Sequence, residues 1–109
     1  MAKAYKVLGQ SSPNATTNTD IYTVPSSTQT VISTIVICNR SNSSASYRIA
    51  VRPNGSSIAN SHYIAYDITI GANDSTALTM GITIDAADVI TVYSSNTNLT
   101  FNLFGSEIS

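Results

Sequence analysis

The sequence predicts an all-β protein: a single antiparallel β-sandwich of about eight strands, with jelly-roll or immunoglobulin-like topology. Three observations predict it. Ser, Thr and Asn make up roughly two-fifths of the 109 residues, and charged residues only 10%. Short runs of Val, Ile, Tyr and Phe interrupt that polar background, and several alternate apolar with polar residues at the period of a strand. Clusters of Gly, Pro, Asn, Asp and Ser separate the runs, and no stretch carries a helical period.

The elements follow in order. Lys3–Leu8 reads as a first strand with Tyr5 and Val7 on one face. Gly9–Thr19 is polar and broken by Pro13, a loop or an arm. The single domain therefore spans residues 1–109, with an extended N-terminal arm over residues 1–19. Ile21–Val24 is a short strand stopped by Pro25. Thr28–Asn39 is the longest apolar run, with Val31, Ile35 and Ile37 on one face and Ile32, Val36 and Cys38 on the other. A strand apolar on both faces is central, or touches a second buried surface such as a partner subunit.

Arg40–Ser44 is a turn. Ala45–Arg52 then alternates, with Ala45, Tyr47, Ile49 and Val51 inward and Ser46, Arg48, Ala50 and Arg52 on a solvated face. Pro53-Asn54-Gly55 is a turn, because Asn and Gly tolerate positive φ. In Ser61–Ile70, His62, Ile64, Tyr66, Ile68 and Ile70 share a face. After Gly71–Asp74, Thr76, Leu78, Met80, Ile82 and Ile84 share another, with Gly81 marking a bulge. Asp85–Asp88 and Ser95–Asn98 turn the chain into and out of Val89–Ser94. Leu99, Phe101 and Leu103 line the last strand, until Phe104-Gly105 breaks the alternation at a bulge. The regular spacing of this second half predicts consecutive hairpins. The predicted core includes Ile35, Ile37, Tyr47, Ile49, Val51, Phe101 and Leu103.

Composition restricts the function. The net charge is −1, and Lys3, Lys6, Arg40, Arg48 and Arg52 are scattered. Binding a phosphate backbone needs clustered cations, so no nucleic-acid partner is expected. No run approaches the ~20 apolar residues that span a membrane, so no membrane partner is expected. Met1–Tyr5 has no apolar signal region, which predicts a protein made and used without a signal peptide. Cys38 is the only cysteine. It excludes an intramolecular disulfide and reads as a buried, inert thiol.

Catalytic candidates are few. His62 is the only histidine, and strand alternation places Asp67 on the opposite face, so no base has an orienting partner. Asp85, Asp88 and Asp74 sit in turns, where carboxylates hydrogen-bond their own backbone amides, and no EF-hand spacing is present. The glycines are isolated, without a phosphate loop. The sequence therefore predicts no enzyme, no metal and no cofactor. Tyr63 and Tyr66 read as core or interface aromatics on opposite faces of one strand. With Tyr93 they form a ligand groove only if the three converge.

Surfaces carry the functional reading. Monomers protect sheet edges with Lys or Glu. This chain has few of either, which favours edges and faces covered by neighbours in an assembly. The expected interface residues are Tyr5 on the N-terminal segment, Arg48 and Arg52 on one solvated face, and His62 and Tyr63. The two arginines are expected to meet carboxylates on a scaffold protein.

Three segments are informative together: AYKVLGQSSP (Ala4–Pro13), DIYTVPSSTQTVISTIVICNR (Asp20–Arg40) and DVITVYSSNTNLTFNLFGSEI (Asp88–Ile108). The second is followed by YRIAVRP (Tyr47–Pro53). The chain resembles a family of small tailed-phage virion proteins found in cyanophages and other marine or freshwater phages. The resemblance spans nearly the whole chain and carries no catalytic residues. It implies a structural β-sandwich displayed on the virion and assembled in the host cytoplasm. The protein would bind as a homo-oligomer to the capsid surface, as a decoration or cement protein, or to the tail or neck. The alternative is a receptor- or carbohydrate-binding module at a tail fibre or spike, with a glycan as partner.

Overall fold

The structure, a computed structural model, describes residues 3–109. Met1 and Ala2, the start of the expected arm, lie outside the described residues. Eight strands follow in order: β1 (Lys3–Ser11), β2 (Thr19–Thr23), β3 (Gln29–Asn39), β4 (Ala45–Arg52), β5 (Tyr63–Ile70), β6 (Ser75–Ile84), β7 (Val89–Ser94) and β8 (Leu99–Ile108). They form two four-stranded antiparallel sheets packed as a sandwich. The first has the order β1-β8-β3-β6 and the second β2-β7-β4-β5.

The pairing decides the topology that the sequence left open. β1 pairs β8, β2 pairs β7, β3 pairs β6 and β4 pairs β5, all antiparallel. The four pairs nest, as if one long hairpin with its tip between β4 and β5 were rolled into two sheets. That is a jelly roll. Only β4 and β5 are consecutive and paired, which corrects the expectation of consecutive hairpins in the second half. The turns Gly71–Asp74, Asp85–Asp88 and Ser95–Asn98 instead carry the chain from one sheet to the other.

Inward-facing residues of both sheets make the core. Ile32, Ile35, Ile37, Tyr47, Ile49, Ile70, Ile90, Val92, Leu99, Phe101 and Leu103 are buried. Tyr47 and Phe101 meet edge to face across the sheets, with centroids 6.3 Å apart, a geometry that adds to simple burial. Val51, expected in the core, is only partly buried at its margin. Cys38 lies half-exposed on the outer face of the first sheet, which corrects the expected buried thiol. Ala50, expected on the solvated face, is buried.

A row of irregularities crosses the first sheet. Leu8 in β1 is an extra residue facing the Leu103–Phe104 step of β8, and Ser33 in β3 one facing the Phe104–Gly105 step. The bulges expected in β8 therefore sit in its two neighbours. A Cβ on Gly105 would stand 2.1 Å from the Val31 carbonyl oxygen, so only glycine lets β3 approach this closely. The register between β3 and β6 shifts beside Gly81, where the sequence placed a bulge. The Ser33 bulge rephases β3: Ile32 joins Ile35 and Ile37 inside, while Val31 turns out with Val36 and Cys38. That corrects the expected grouping of Val31 with the core.

Gly9–Ser11, expected to begin a loop or arm, continue β1 and pair with Asn102 and Phe101 of β8 among others. The β1–β2 flank is closed by polar groups. The Tyr22 hydroxyl donates to Glu107 Oε2 at 2.5 Å and lies 2.8 Å from Thr30 Oγ1, and Lys6 Nζ lies 2.7 Å from Glu107 Oε1. Lys6 and Tyr22 hold the Glu107 carboxyl below its usual range. Burial, followed by the Glu107 hydrogen bond, pushes the Tyr22 phenol up to about 12. The β5–β6 flank is more open. Ile64 and Ile68 are exposed, and Leu78, Met80 and Ile82 only partly buried.

Candidate functional site

The outer face of the second sheet holds an aromatic cluster around Arg48. Arg48 is in the middle strand β4, directly opposite Tyr93 of β7. Its Cζ lies 4.2 Å from the centroid of the Tyr93 ring and 4.2 Å from that of Tyr66 in β5. The guanidinium thus sits against two aromatic rings, a favourable cation–π placement. Its edge is taken by Asp67: Nε donates to Oδ1 at 2.6 Å and Nη2 to Oδ2 at 3.3 Å. Asp67 holds the guanidinium pKa above its already high value, so Arg48 stays charged.

Local irregularity in β5 builds the cluster. Tyr47 pairs Ile68 but Ile49 pairs Ala65, so β5 inserts one extra residue there. Asp67 adopts φ +51° at that point, a conformation Asp tolerates better than most residues. The bulge brings Tyr66 and Asp67 together on Arg48, where simple alternation would have separated them. A second shift follows, because Ile49 pairs Ala65 and Ala50 pairs Tyr63. It brings Tyr63 beside Tyr66, their centroids 4.8 Å apart and their planes at 81°. This corrects the expectation that the two tyrosines occupy opposite faces. Tyr63 and Tyr66 meet, while Tyr93 is linked to them only through Arg48 and does not line their cleft. Asn60, Tyr63 and Tyr66 line a shallow cleft of ≈ 510 Å³.

Of the five expected interface residues, Arg48 and Tyr63 meet in this cluster through Tyr66. His62 lies next to it in sequence but is not in β5; it closes a 3₁₀ turn (Asn60–His62), and its Nδ1 accepts the Ala59 N–H at 3.1 Å. Arg52 belongs to a separate network. Its Nη1 donates to Asp20 Oδ1 at 2.7 Å and to Thr91 Oγ1 at 3.2 Å, and Nε and Nη2 hold the carbonyls of Ser56 and Gly55. Both arginines therefore already have carboxylate partners in their own chain. Asp67 and Tyr93, essential to the cluster, were visible in the sequence only as a candidate partner of His62 and as a groove tyrosine; their contacts with Arg48 were not, because the bulge and the β4–β7 pairing create them.

Tyr5 lies on the opposite side of the molecule. With Val7, Val31 and Phe104 it lines an apolar cleft of ≈ 500 Å³ on the outer face of the first sheet. Tyr5 is 78% exposed and Val7 48%. The sheet edges differ in charge: β1 carries Lys3 and Lys6, β2 Asp20 and β5 Asp67, while β6 has no charged residue. The charged edges depart from the expected scarcity; β6 fits it.

The turn carboxylates are engaged locally. Asp88 accepts the N–H groups of Asn54 and Asp85, Asp85 that of Ala86, and Asp74 that of Ser75. Among the described residues, no three His, Cys, Asp or Glu side chains gather as metal ligands. What the outer faces offer is stacking, apolar contact and hydrogen bonding. Fold and surfaces together define a jelly-roll sandwich with two unlike outer faces. No protein-family model matches the chain, and no curated protein is significantly similar to it. The likeness to small phage virion proteins therefore rests on the quoted sequence segments alone.

Proposed function

We propose that this protein is a non-catalytic structural subunit of a tailed-phage particle, acting as a homo-oligomer on the capsid surface or on the tail or neck. The observation that carries the assembly reading is the outer face of the first sheet, where Tyr5, Val7, Val31 and Phe104 leave an apolar cleft open to water. Aromatic and aliphatic side chains grouped on one face are what subunit contacts bury. The same sheet ends in β6, the edge without a charge to discourage strand pairing. The phage setting comes from the resemblance, and the apolar sheet supports the mode of attachment.

The test is the oligomeric state and particle binding of the wild type and of Tyr5→Ser/Phe104→Ser. Light scattering after size-exclusion chromatography is expected to give an oligomer for the wild type and a smaller species for the double variant. The wild type should co-sediment with phage particles and the double variant should not. A wild type that stays monomeric at every concentration and ignores particles would sink the proposal.

A further inference from the structure

We infer that the Tyr63–Tyr66 corner on the second sheet is a binding site for a neutral saccharide. The site is on the face opposite the proposed assembly surface and does not depend on it. Two phenol rings at 81° form two walls, and Asn60 completes the lining with an amide. The cleft volume, ≈ 510 Å³, falls in the range of about 300–1,000 Å³ typical of small-ligand sites.

The chemistry of the lining selects the ligand. Arg48 is engaged by two rings and on its edge by Asp67. Its Nε and Nη2 already hold Asp67 and it does not line the cleft, so an anion seated between the tyrosines gains little here. A cation would meet the charge of Arg48 behind the Tyr66 ring. The remaining class is uncharged, with flat apolar faces to lie on the rings and hydroxyl edges to hydrogen-bond. A pyranose has both. Its C–H face stacks on a phenol ring, and its hydroxyls reach the Asn60 amide and the phenol O–H groups. A proline-rich peptide also stacks on tyrosines, but it needs an extended groove and few acceptors. This site is a compact corner lined by two phenols and an amide.

The site is also preformed. Tyr66 is in contact with both Arg48 and Tyr63, and Arg48 is fixed by Asp67 and Tyr93. Little side-chain freedom remains to be lost on binding, which favours even a small ligand.

The experiment is a titration of isotope-labelled protein with glucose, galactose, N-acetylglucosamine and their short oligomers, followed by backbone amide shifts. At least one saccharide is expected to move Asn60, Tyr63 and Tyr66. Tyr66→Ala, and independently Tyr63→Ala should Tyr66→Ala misfold, is expected to weaken that saccharide at least about tenfold, the loss of one well-packed aromatic contact. Tyr5→Ser/Phe104→Ser should bind it unchanged, which separates this site from the assembly face. Overturning results are no shifts with any saccharide, shifts confined elsewhere, or undiminished binding by both tyrosine variants with native circular-dichroism spectra. Shifts at the corner only with a proline-rich peptide would equally refute it.

Discussion

The two outer faces of this sandwich solve the problem of facing water in opposite ways. The second sheet places its arginines on that face and neutralises each within the chain. Arg48 lies between two tyrosines against Asp67, and Arg52 between Asp20 and Thr91. The first sheet presents Tyr5, Val7, Val31 and Phe104, and its one buried-side charge cluster, Glu107 with Lys6 and Tyr22, closes the flank instead. A low-charge chain has few ions to distribute. Here nearly all of those on the strands are paired: Lys6 with Glu107 on the first sheet, Arg48 with Asp67 and Arg52 with Asp20 on the second. The second face settles its ions within the chain, and the first leaves an apolar cleft open to water.

Perturbing the core that both faces share sets the scale for testing this contrast. Phe101→Ala should cost about 3–5 kcal/mol and disturb both faces together, read as a lower urea midpoint and as losses in the signals of both clusters. If only the first sheet responds, the two faces do not share a core. Asn39→Ala comes next. The buried Asn39 Nδ2 donates to the carbonyls of Ser43, Ile70 and Gly71, and Oδ1 accepts from Ser41. Leaving such groups without partners costs about 1–3 kcal/mol. The loosened 40–44 and 70–74 turns should show faster amide exchange while the Arg48 cluster stays protected.

Arg48→Met should lower stability less than Phe101→Ala and chiefly free the Tyr66 and Tyr93 rings, seen as narrower aromatic resonances. A loss as large as that of Phe101→Ala would make the outer network part of the fold rather than a finish upon it. The Glu107 cluster sharpens the contrast through pH. Its folded pKa is depressed, so its stabilisation is present above the unfolded carboxyl value and fades as pH falls through the folded one. The raised Tyr22 pKa works at the other end: its contribution holds below about 10 and is lost as pH rises toward about 12. Tyr22→Phe should flatten the alkaline arm of a melting-temperature profile and leave the second-sheet cluster untouched. The smallest stability effect is expected from Tyr5→Ser, within about 0.5 kcal/mol, together with the loss of self-association. A large destabilisation would show that Tyr5 belongs to the fold.

Much of the fold could be read from residue alternation. Tyr47, Ile49, Phe101 and Leu103 are buried as their period of two requires, and β6 shows the same period from Thr76 to Ile84. Alternation fails where the chain inserts an extra residue. Ser33 turns Val31 outward, and the two shifts in β5 put Tyr63, Tyr66 and Asp67 on one side. Bulges answer to neighbouring strands, so no local pattern announces Ser33 or Asp67. Topology was hidden for a similar reason. Gly71–Asp74 has the composition of a hairpin turn, and whether it joins partners or crosses between sheets depends on β3, more than thirty residues earlier. The Arg48 cluster needs the β4–β7 pairing and the β5 bulges at once, so its residues were visible singly and their meeting was not.

The nesting of the strand pairs has a consequence for how the chain reaches this state. Closing a loop costs entropy that rises with the logarithm of its length. The inner pair β4·β5 therefore closes at the least cost, and β1·β8, which joins Lys3 to Ile108, would close at the greatest if it formed first. Formed from the inside outward, each pair shortens the loop left for the next. The turn between β4 and β5, where Asn54 and Gly55 both hold positive φ, is then the place where assembly starts. The first and last strands zip shut only after everything between them is in place, as expected of a slow folder for its size.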